Sequence, residues 1–154
     1  MKTANLAALL ILLLSGLLPT TAYSADNVEQ MVLGNHVMTL QWLTNHRGIG
    51  KAKIYKQEGE IHIDGYQQEK YEGNTNYMRI LGKLRIINAR ELEFEGSIVT
   101  QINYINAGVP YERNGKFILK ATGKRKYWRM QNMEQPDEGH VVTDYIDIFF
   151  EKFK

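Results

Sequence analysis

The chain has 154 residues, with 19 lysines and arginines, 17 acidic residues and no cysteine. A net charge of only +2 excludes binding of nucleic acid through bulk charge. The absence of cysteine excludes a disulfide framework, a thiolate nucleophile and cysteine-bound zinc. The fold must therefore depend on packing and hydrogen bonds.

The first 24 residues have the pattern of a secretory signal peptide. Lys2 supplies a positive charge, residues 6–18 are almost wholly apolar, and Ala22 and Ser24 fit the small positions of a cleavage site. The alternative is a membrane anchor, but about 13 apolar residues fall short of the roughly 20 that a spanning helix needs. We expect residues 1–24 to be removed. Residues 25–154 then form one periplasmic or secreted domain with no membrane span.

Apolar and polar residues alternate from residue 36 onward, which predicts β-strands. The pattern is clearest in residues 92–105, where Phe94, Ile98 and Ile102 share one face. Gly96 lies on that same face, where it could mark a bend or the seat of a large ring. Only residues 27–33 suggest a helical turn. The predicted strands cover residues 36–43, 49–57, 60–68, 77–87, 92–105, 111–122, 124–132 and 141–150.

About eight strands joined by short connections are expected to pair antiparallel. An up-and-down barrel covers the apolar face of each strand and removes the exposed sheet edges. We therefore predict an all-β, calycin-like barrel, with a two-sheet sandwich as the alternative. The predicted inward residues are bulky and favour a filled interior. Trp42 ends one apolar alternation and is predicted to be largely buried.

Two patterns could carry catalysis or bind a metal. Ser97 lies in the middle of a predicted strand and lacks the constrained turn that a serine nucleophile needs. His62 and Asp64 share one strand face, which suits a metal ion, but further ligands would have to come from other strands. A solvated strand face explains the pair more simply. We predict no metal ion and no cofactor.

A row of carboxylates forms a third pattern. Glu91, Glu93 and Glu95 align on one face of a single predicted strand. Glycosidases instead need two carboxylates that face each other across a sugar. The row is expected to supply ion pairs with neighbouring strands. We therefore predict no catalytic residue and a protein that is not an enzyme.

The densest group of cations lies in residues 120–129 and alternates with aromatic residues. Cations beside aromatic rings bind anionic sugars and lipid head groups, so an anionic envelope lipid or polysaccharide is a candidate partner. The interpretation that the pattern favours is that half of the group faces solvent and half pairs with acids on the last strand. The candidate ligand-binding residues are Lys124, Arg125, Lys126, Tyr127, Trp128 and Arg129.

One carboxylate is predicted to point into the barrel. Asp144 shares its strand face with apolar residues such as Ile146 and Ile148. A buried carboxylate needs a charged or hydrogen-bonding partner. The arginines of the preceding predicted strand, Arg125 and Arg129, are the expected partners in a structural ion pair.

Two C-terminal segments resemble the ending of a known protein family. They read GKRKYWR, residues 123–129, and VTDYIDIFF, residues 142–150. The family comprises small exported bacterial β-rich proteins to which no activity is assigned. The resemblance implies export and a β-rich fold. It also implies that the loops around Pro110 and Pro136 lie close together, because relatives carry cysteines just after the matching prolines.

A weaker resemblance connects the chain with lipocalins at the level of the fold. It rests on an early tryptophan, Trp42, and a late arginine, Arg129. The lipocalin Gly-x-Trp motif is absent, because Leu40 occupies the glycine position. This likeness implies a barrel and no particular ligand.

These patterns together predict an exported, non-enzymatic barrel that binds a small ligand or an envelope component. The alternative is a periplasmic interaction protein, such as an inhibitor, that acts through residues 69–75 or 135–139. An enzyme is the third and weakest interpretation.

Overall fold

A computed structural model describes residues 24–43 and 50–153 of the protein. The predicted leader lies outside these residues except for Ser24, which caps the first helix. The elements are helix α1 (Ala25–Val32) and strands β1 (Gly34–Leu40), β2 (Gly50–Gln57), β3 (Glu60–Tyr71), β4 (Asn74–Asn88), β5 (Glu91–Gln101), β6 (Tyr111–Lys120), β7 (Tyr127–Met130), β8 (Glu134–Asp137), β9 (His140–Thr143) and β10 (Ile146–Lys152). Two short 3₁₀ turns cover Gln41–Leu43 and Asn106–Gly108.

Eight of the strands close into an antiparallel barrel with the order β1-β10-β7-β6-β5-β4-β3-β2. Strands β1 and β10 close the cylinder, with Met38 paired to Ile148. Strands β8 and β9 form a separate two-stranded hairpin. The prediction of an all-β up-and-down barrel is confirmed, and the alternative two-sheet sandwich is wrong.

The interior of the barrel is filled by the predicted apolar faces. Met38, Ile63, Ile80 and Ile98 are fully buried. The ring of Phe94 lies across a pair of glycines, Gly82 on β4 and Gly96 on β5. A β-carbon at Gly96 would lie 2.8 Å from the Phe94 ring and 2.7 Å from the α-carbon of Gly82. Gly96 is therefore the seat of a large ring, as the sequence suggested.

The two ends of the barrel differ in construction. At one, which we call the helix end, α1 buries Val28 and Val32. The β6–β7 connection lies at this end, since Arg90 of the β4–β5 turn donates to the carbonyl oxygens of Ala121 and Gly123. The opposite end, which we call the loop end, carries the Gln41–Leu43 turn, residues 102–110 and the β8–β9 hairpin.

The last predicted strand is in fact two strands. Residues 141–150 divide between β9, in the small hairpin, and β10, in the barrel. The break falls at Asp144, whose backbone N–H donates to the carbonyl of Met133 at 2.9 Å instead of to a barrel strand. The Asp144 side chain is nevertheless turned inward and fully buried, as predicted.

The first predicted strand also ends early. Strand β1 stops at Leu40, and Trp42 lies in the 3₁₀ turn that follows. Trp42 is half-buried and packs against the edge of the core. Its predicted position at the end of the strand is wrong, because the chain leaves the barrel wall before this residue. Among the described residues, no helix is long and apolar enough to cross a membrane.

Candidate functional site at the loop end

A buried ion pair organises the loop end of the barrel. Asp144 has no exposed surface, and Arg113 of β6 is 8 % exposed. The Arg113 Nη2 donates to Asp144 Oδ2. Burying two charges costs several kcal/mol per ion, so such a pair persists only when further hydrogen bonds support it.

Three other side chains supply that support. Trp42 Nε1 donates to Asp144 Oδ1 at 2.8 Å, and Gln135 Nε2 donates to the same oxygen at 3.0 Å. Thr100 Oγ1 lies 3.2 Å from Asp144 Oδ2. The carboxylate thus joins the 3₁₀ turn, β5, β6 and β8 through four donors. This convergence fixes the geometry of the loop end.

The predicted partners of Asp144 are wrong. Arg125 lies in the β6–β7 connection at the helix end, far along the barrel from Asp144. Arg129 instead binds Asp147, with Nε and Nη2 each 2.7 Å from a carboxylate oxygen. This hydrogen bond raises the pKa of Arg129. Asp144 precedes the start of β10, so it lies beyond the part of β10 that pairs with β7.

The cluster leaves strong hydrogen-bonding atoms without partners. Within the described residues, Arg113 Nε and Nη1 are buried and make no hydrogen bond. Glu69, on β3 and 6 % exposed, likewise has a buried Oε2 without a partner. An unpaired buried polar group costs about 1–3 kcal/mol. Such groups are rare in folded proteins, so these atoms are candidates for contact with a bound molecule.

A chain of contacts connects Glu69 with Arg113. Glu69 pairs with Asn76 across β3 and β4, and Asn76 Nδ2 donates at 3.0 Å to Oδ1 of Asn103, the residue before Tyr104. The Tyr104 hydroxyl donates to the carbonyl of Trp42 at 3.2 Å. Trp42 in turn donates to Asp144, the partner of Arg113. Glu69 and Arg113 therefore belong to one polar cluster.

Apolar side chains surround this polar cluster on the outside. Val109 and Val141 are 57 % and 69 % exposed, and Tyr104 and Tyr145 are 54 % and 45 % exposed. Tyr104, Val109 and Tyr145 lie in connections of the loop end, and Val141 lies in β9. Exposed apolar groups around a few buried polar groups are typical of ligand sites, which occur in the mouths of β-barrels.

The loops around Pro110 and Pro136 meet at this same end. The backbone N–H of Asn106 donates to Asp137 Oδ1 at 2.8 Å. This contact confirms the predicted closeness of the two loops. Residues 135–139, predicted as a protruding loop, form the β8–β9 hairpin instead, and residues 69–75 form the tight β3–β4 hairpin.

The predicted basic cluster is divided between core and surface. Trp128 is fully buried and donates to the carbonyl of Ala89 at 3.2 Å, so it is a core residue. Tyr127 is half-buried, with the guanidinium groups of Arg125 and Arg129 5.6 and 5.4 Å from its ring centre. Lys124 and Lys126 are exposed and, among the described residues, make no ion pair. A smaller cationic surface, Lys124 to Lys126, remains at the helix end.

The other candidates have ordinary structural roles. The predicted ion pairs of the glutamate row are confirmed: Glu91, Glu93 and Glu95 pair with Lys120, Arg85 and Lys116 on the neighbouring strands.

The predicted catalytic and metal-compatible side chains have surface partners as well. Asp64 binds Arg79, and His62 stacks on Tyr55 at 5.6 Å. Ser97 donates to Glu112 at 3.0 Å. Within the described parts of the chain, no three histidine or acidic side chains are grouped to hold a metal ion.

Arg113 and Glu69 were not among the predicted site residues, although a signal was present. Counting back by twos from the inward residues Phe117 and Leu119 reaches Arg113. Counting forward by twos from the inward residue Ile63 reaches Glu69. A charged residue at an inward position is the pattern that identifies the site.

The fold and the site define a closed eight-stranded barrel with a buried polar cluster in one end. Residues 20–150 match the PM1083 family. A protein of Pasteurella multocida (strain Pm70), named "Uncharacterized protein PM1083", is 35 % identical over 130 residues, which cover 84 % of this chain and 80 % of the relative. The chain therefore belongs to the PM1083 family. No solved structure matches it, so the calycin likeness stays a prediction.

Proposed function

We propose that this protein is an exported, non-enzymatic binding protein that takes a small ligand or an envelope component at the loop end of its barrel. The observation that carries the proposal is Arg113, a buried guanidinium with two nitrogens that lack partners. A ligand that supplied acceptors there would form hydrogen bonds to a charged group, each worth about 1.5–3 kcal/mol, and these bonds would contribute to its affinity.

The surroundings of Arg113 support binding over catalysis. Its charge is already neutralised by Asp144, whose two oxygens accept hydrogen bonds from four donors of the protein. A catalytic acid or base instead needs an atom within hydrogen-bond reach of the substrate. The exposed rim around Tyr104 and Val141 offers contact area for a bound molecule.

Native mass spectrometry of the protein purified from its own envelope tests this proposal. The wild type should carry an additional mass. The double variant Arg113→Gln/Asp144→Asn, which removes both charges so that neither is left unpaired, should lose it. Lys124→Gln, at the opposite end, is the matched control and should keep it. Retention of the mass by the double variant would place the site elsewhere.

The cationic surface at Lys124 to Lys126 is the second candidate. These side chains lack acidic partners among the described residues and suit an anionic lipid or polysaccharide of the envelope. Loss of the retained mass in the Lys124→Gln control, with retention in the double variant, would support this site.

An interaction protein is the remaining alternative. Both segments predicted to serve an inhibitor, residues 69–75 and 135–139, end at the loop end beside exposed Val141. A retained mass equal to a second polypeptide would favour this alternative over a small ligand.

A further inference from the structure

We infer that the ligand of the loop end is an uncharged sugar residue, bound through its hydroxyl groups between Glu69 and Arg113. This inference rests on the proposed function and specifies the chemistry of the same site. Three observations support it: the net charge of the polar cluster, the donor or acceptor character of its unpaired atoms, and the aromatic side chains at the loop end.

The charge of the cluster disfavours an anion. Arg113 is one cation, and Asp144 and Glu69 are two buried carboxylates. A low-dielectric site with excess negative charge repels a second carboxylate or a phosphate.

The open hydrogen-bonding positions call for a group that both donates and accepts. Arg113 offers N–H donors only, and Glu69 Oε2 offers an acceptor only. A hydroxyl group satisfies either atom, since it carries one donor and two acceptor lone pairs. A molecule with several hydroxyls can therefore meet both requirements without carrying a charge.

Aromatic rings at the loop end suit the flat apolar face of a sugar ring. Trp42 and Tyr111 are half-buried, and Tyr104 is exposed. The guanidinium carbon of Arg113 lies over the Tyr111 ring, 4.9 Å from its centre, and this cation–π contact holds the ring beside the open donors. Aromatic side chains combine a large apolar surface with a polar edge, which matches a ring that has both kinds of surface.

Access to the open atoms is restricted. Arg113 and Glu69 are 8 % and 6 % exposed, so a sugar reaches them only when the side chains around them rearrange. Association that requires such a rearrangement is slower than the usual range of about 10⁵–10⁷ M⁻¹s⁻¹. Titrations must therefore be left to reach equilibrium.

Isothermal titration calorimetry on the mature wild-type protein tests the inference. The probes are N-acetylglucosamine, glucose, maltose, glucuronate and inorganic phosphate. We expect at least one neutral sugar to bind, and glucuronate to bind at least 10-fold more weakly than glucose. Tighter binding of maltose than of glucose would identify a saccharide chain as the source of the sugar, and the reverse a free monosaccharide.

Two variants with the same chemical change locate the binding. Glu69→Gln, at the loop end, should weaken sugar binding by about 10-fold, as expected for the loss of one hydrogen bond to a charged group. Glu58→Gln, in the exposed β2–β3 turn at the other end, should leave it unchanged. Equal affinities in the two variants would overturn the inference.

The other outcomes separate this inference from the proposed function. Binding of glucuronate or phosphate in preference to every neutral sugar would overturn the sugar and leave a loop-end binding protein. A retained mass that depends on Arg113 but contains no sugar would also overturn the sugar and leave a loop-end binding protein. No binding of any probe, together with no retained mass, would contradict the proposed function itself.

Discussion

At the scale of single residues, the loop end depends on Asp144. The carboxylate is fully buried and accepts hydrogen bonds from four side chains. Asp147, three residues later, is also an ion-pair partner, but its side chain and that of Arg129 are 11 % and 23 % exposed. The two carboxylates therefore allow one chemical change to be compared in a closed and in a partly open environment.

Asp144→Asn should reduce the free energy of unfolding by about 3–5 kcal/mol, because it leaves Arg113 as a buried charge without a counter-ion. Asp147→Asn should cost roughly 1–2 kcal/mol, since water reaches that pair. Urea denaturation of the two variants checks the comparison. Equal costs would mean that Asp144 is not enclosed as the structure describes.

His36 gives the fold a dependence on pH. It is fully buried, with its ring nitrogens 2.7 and 2.8 Å from the carbonyl oxygens of Phe149 and Val32. Burial lowers the pKa of His36, aided by the charge of Lys152 and opposed by the two carbonyls. The unfolded chain, with a histidine pKa of about 6.5, therefore binds a proton more readily than the folded chain.

Stability from this residue should be fully present above about pH 6.5 and should fall as the pH drops towards the lowered pKa, by at most about 1.4 kcal/mol per pH unit. Denaturant midpoints measured between pH 7.5 and 5 should show this slope in the wild type and a smaller slope in His36→Gln. His140→Gln, at an exposed position, should keep the wild-type slope. Identical slopes in all three proteins would remove His36 as the cause.

At the scale of elements, the sequence predicted the strands well where they lie in the barrel wall. Alternation located β2 to β6 to within a few residues, because side-chain burial on the inner face repeats every two residues. It failed at Trp42 and at Asp144, where the chain leaves the wall and hydrogen bonds from other elements decide its direction. The alternation continues through Trp42 and through residues 141–150, so it does not mark the points at which the 3₁₀ turn and β9 leave the wall.

Sequence periodicity was also insufficient to predict which residues meet in the candidate site. Periodicity placed Asp144 inside the barrel, but it could not identify the partner, because Arg113 comes from a strand that is not the sequence neighbour of β10. The arginines nearest in sequence, Arg125 and Arg129, were the wrong choice. Pairing across a barrel depends on the register and on the height of each residue along the axis, which one sequence does not specify.

The contact of β4 with β5 provides a test of element packing. Gly96→Ala should destabilise the protein by about 2–3 kcal/mol, because the added methyl group would overlap the Phe94 ring and the backbone at Gly82. Ser97→Ala, the next residue along β5, should cost about 0.5 kcal/mol or less. Thermal unfolding of both variants measures the difference. A Gly96→Ala protein as stable as the wild type would show that the two strands are not so close.

At the scale of the whole molecule, the two ends of the barrel carry different chemistry. The helix end presents the cations Lys124, Arg125 and Lys126, and the loop end encloses Glu69 and Asp144. The predicted leader would direct the protein, and with it both ends of the barrel, to the envelope. Helix α1 begins at Ala25, directly after the predicted cleavage position.

The mature chain should therefore begin at or near residue 25. Mass spectrometry of protein recovered from the envelope or the medium should find a mass that lacks about 24 residues. A free N-terminus at Ala25, or within two or three residues of it, would agree with the pattern of small residues. An intact Met1 in the exported protein would show that the leader is not a signal peptide.

We propose that the loop end binds a molecule through Arg113 and Glu69. A crystal structure of the protein purified from its own envelope, without added ligand, shows whether it does. We expect continuous electron density for a multi-atom ligand within hydrogen-bonding distance of Arg113 Nε or Nη1 and of Glu69 Oε2. A loop end in which these atoms meet only isolated waters, with a bound molecule elsewhere or none, would contradict it.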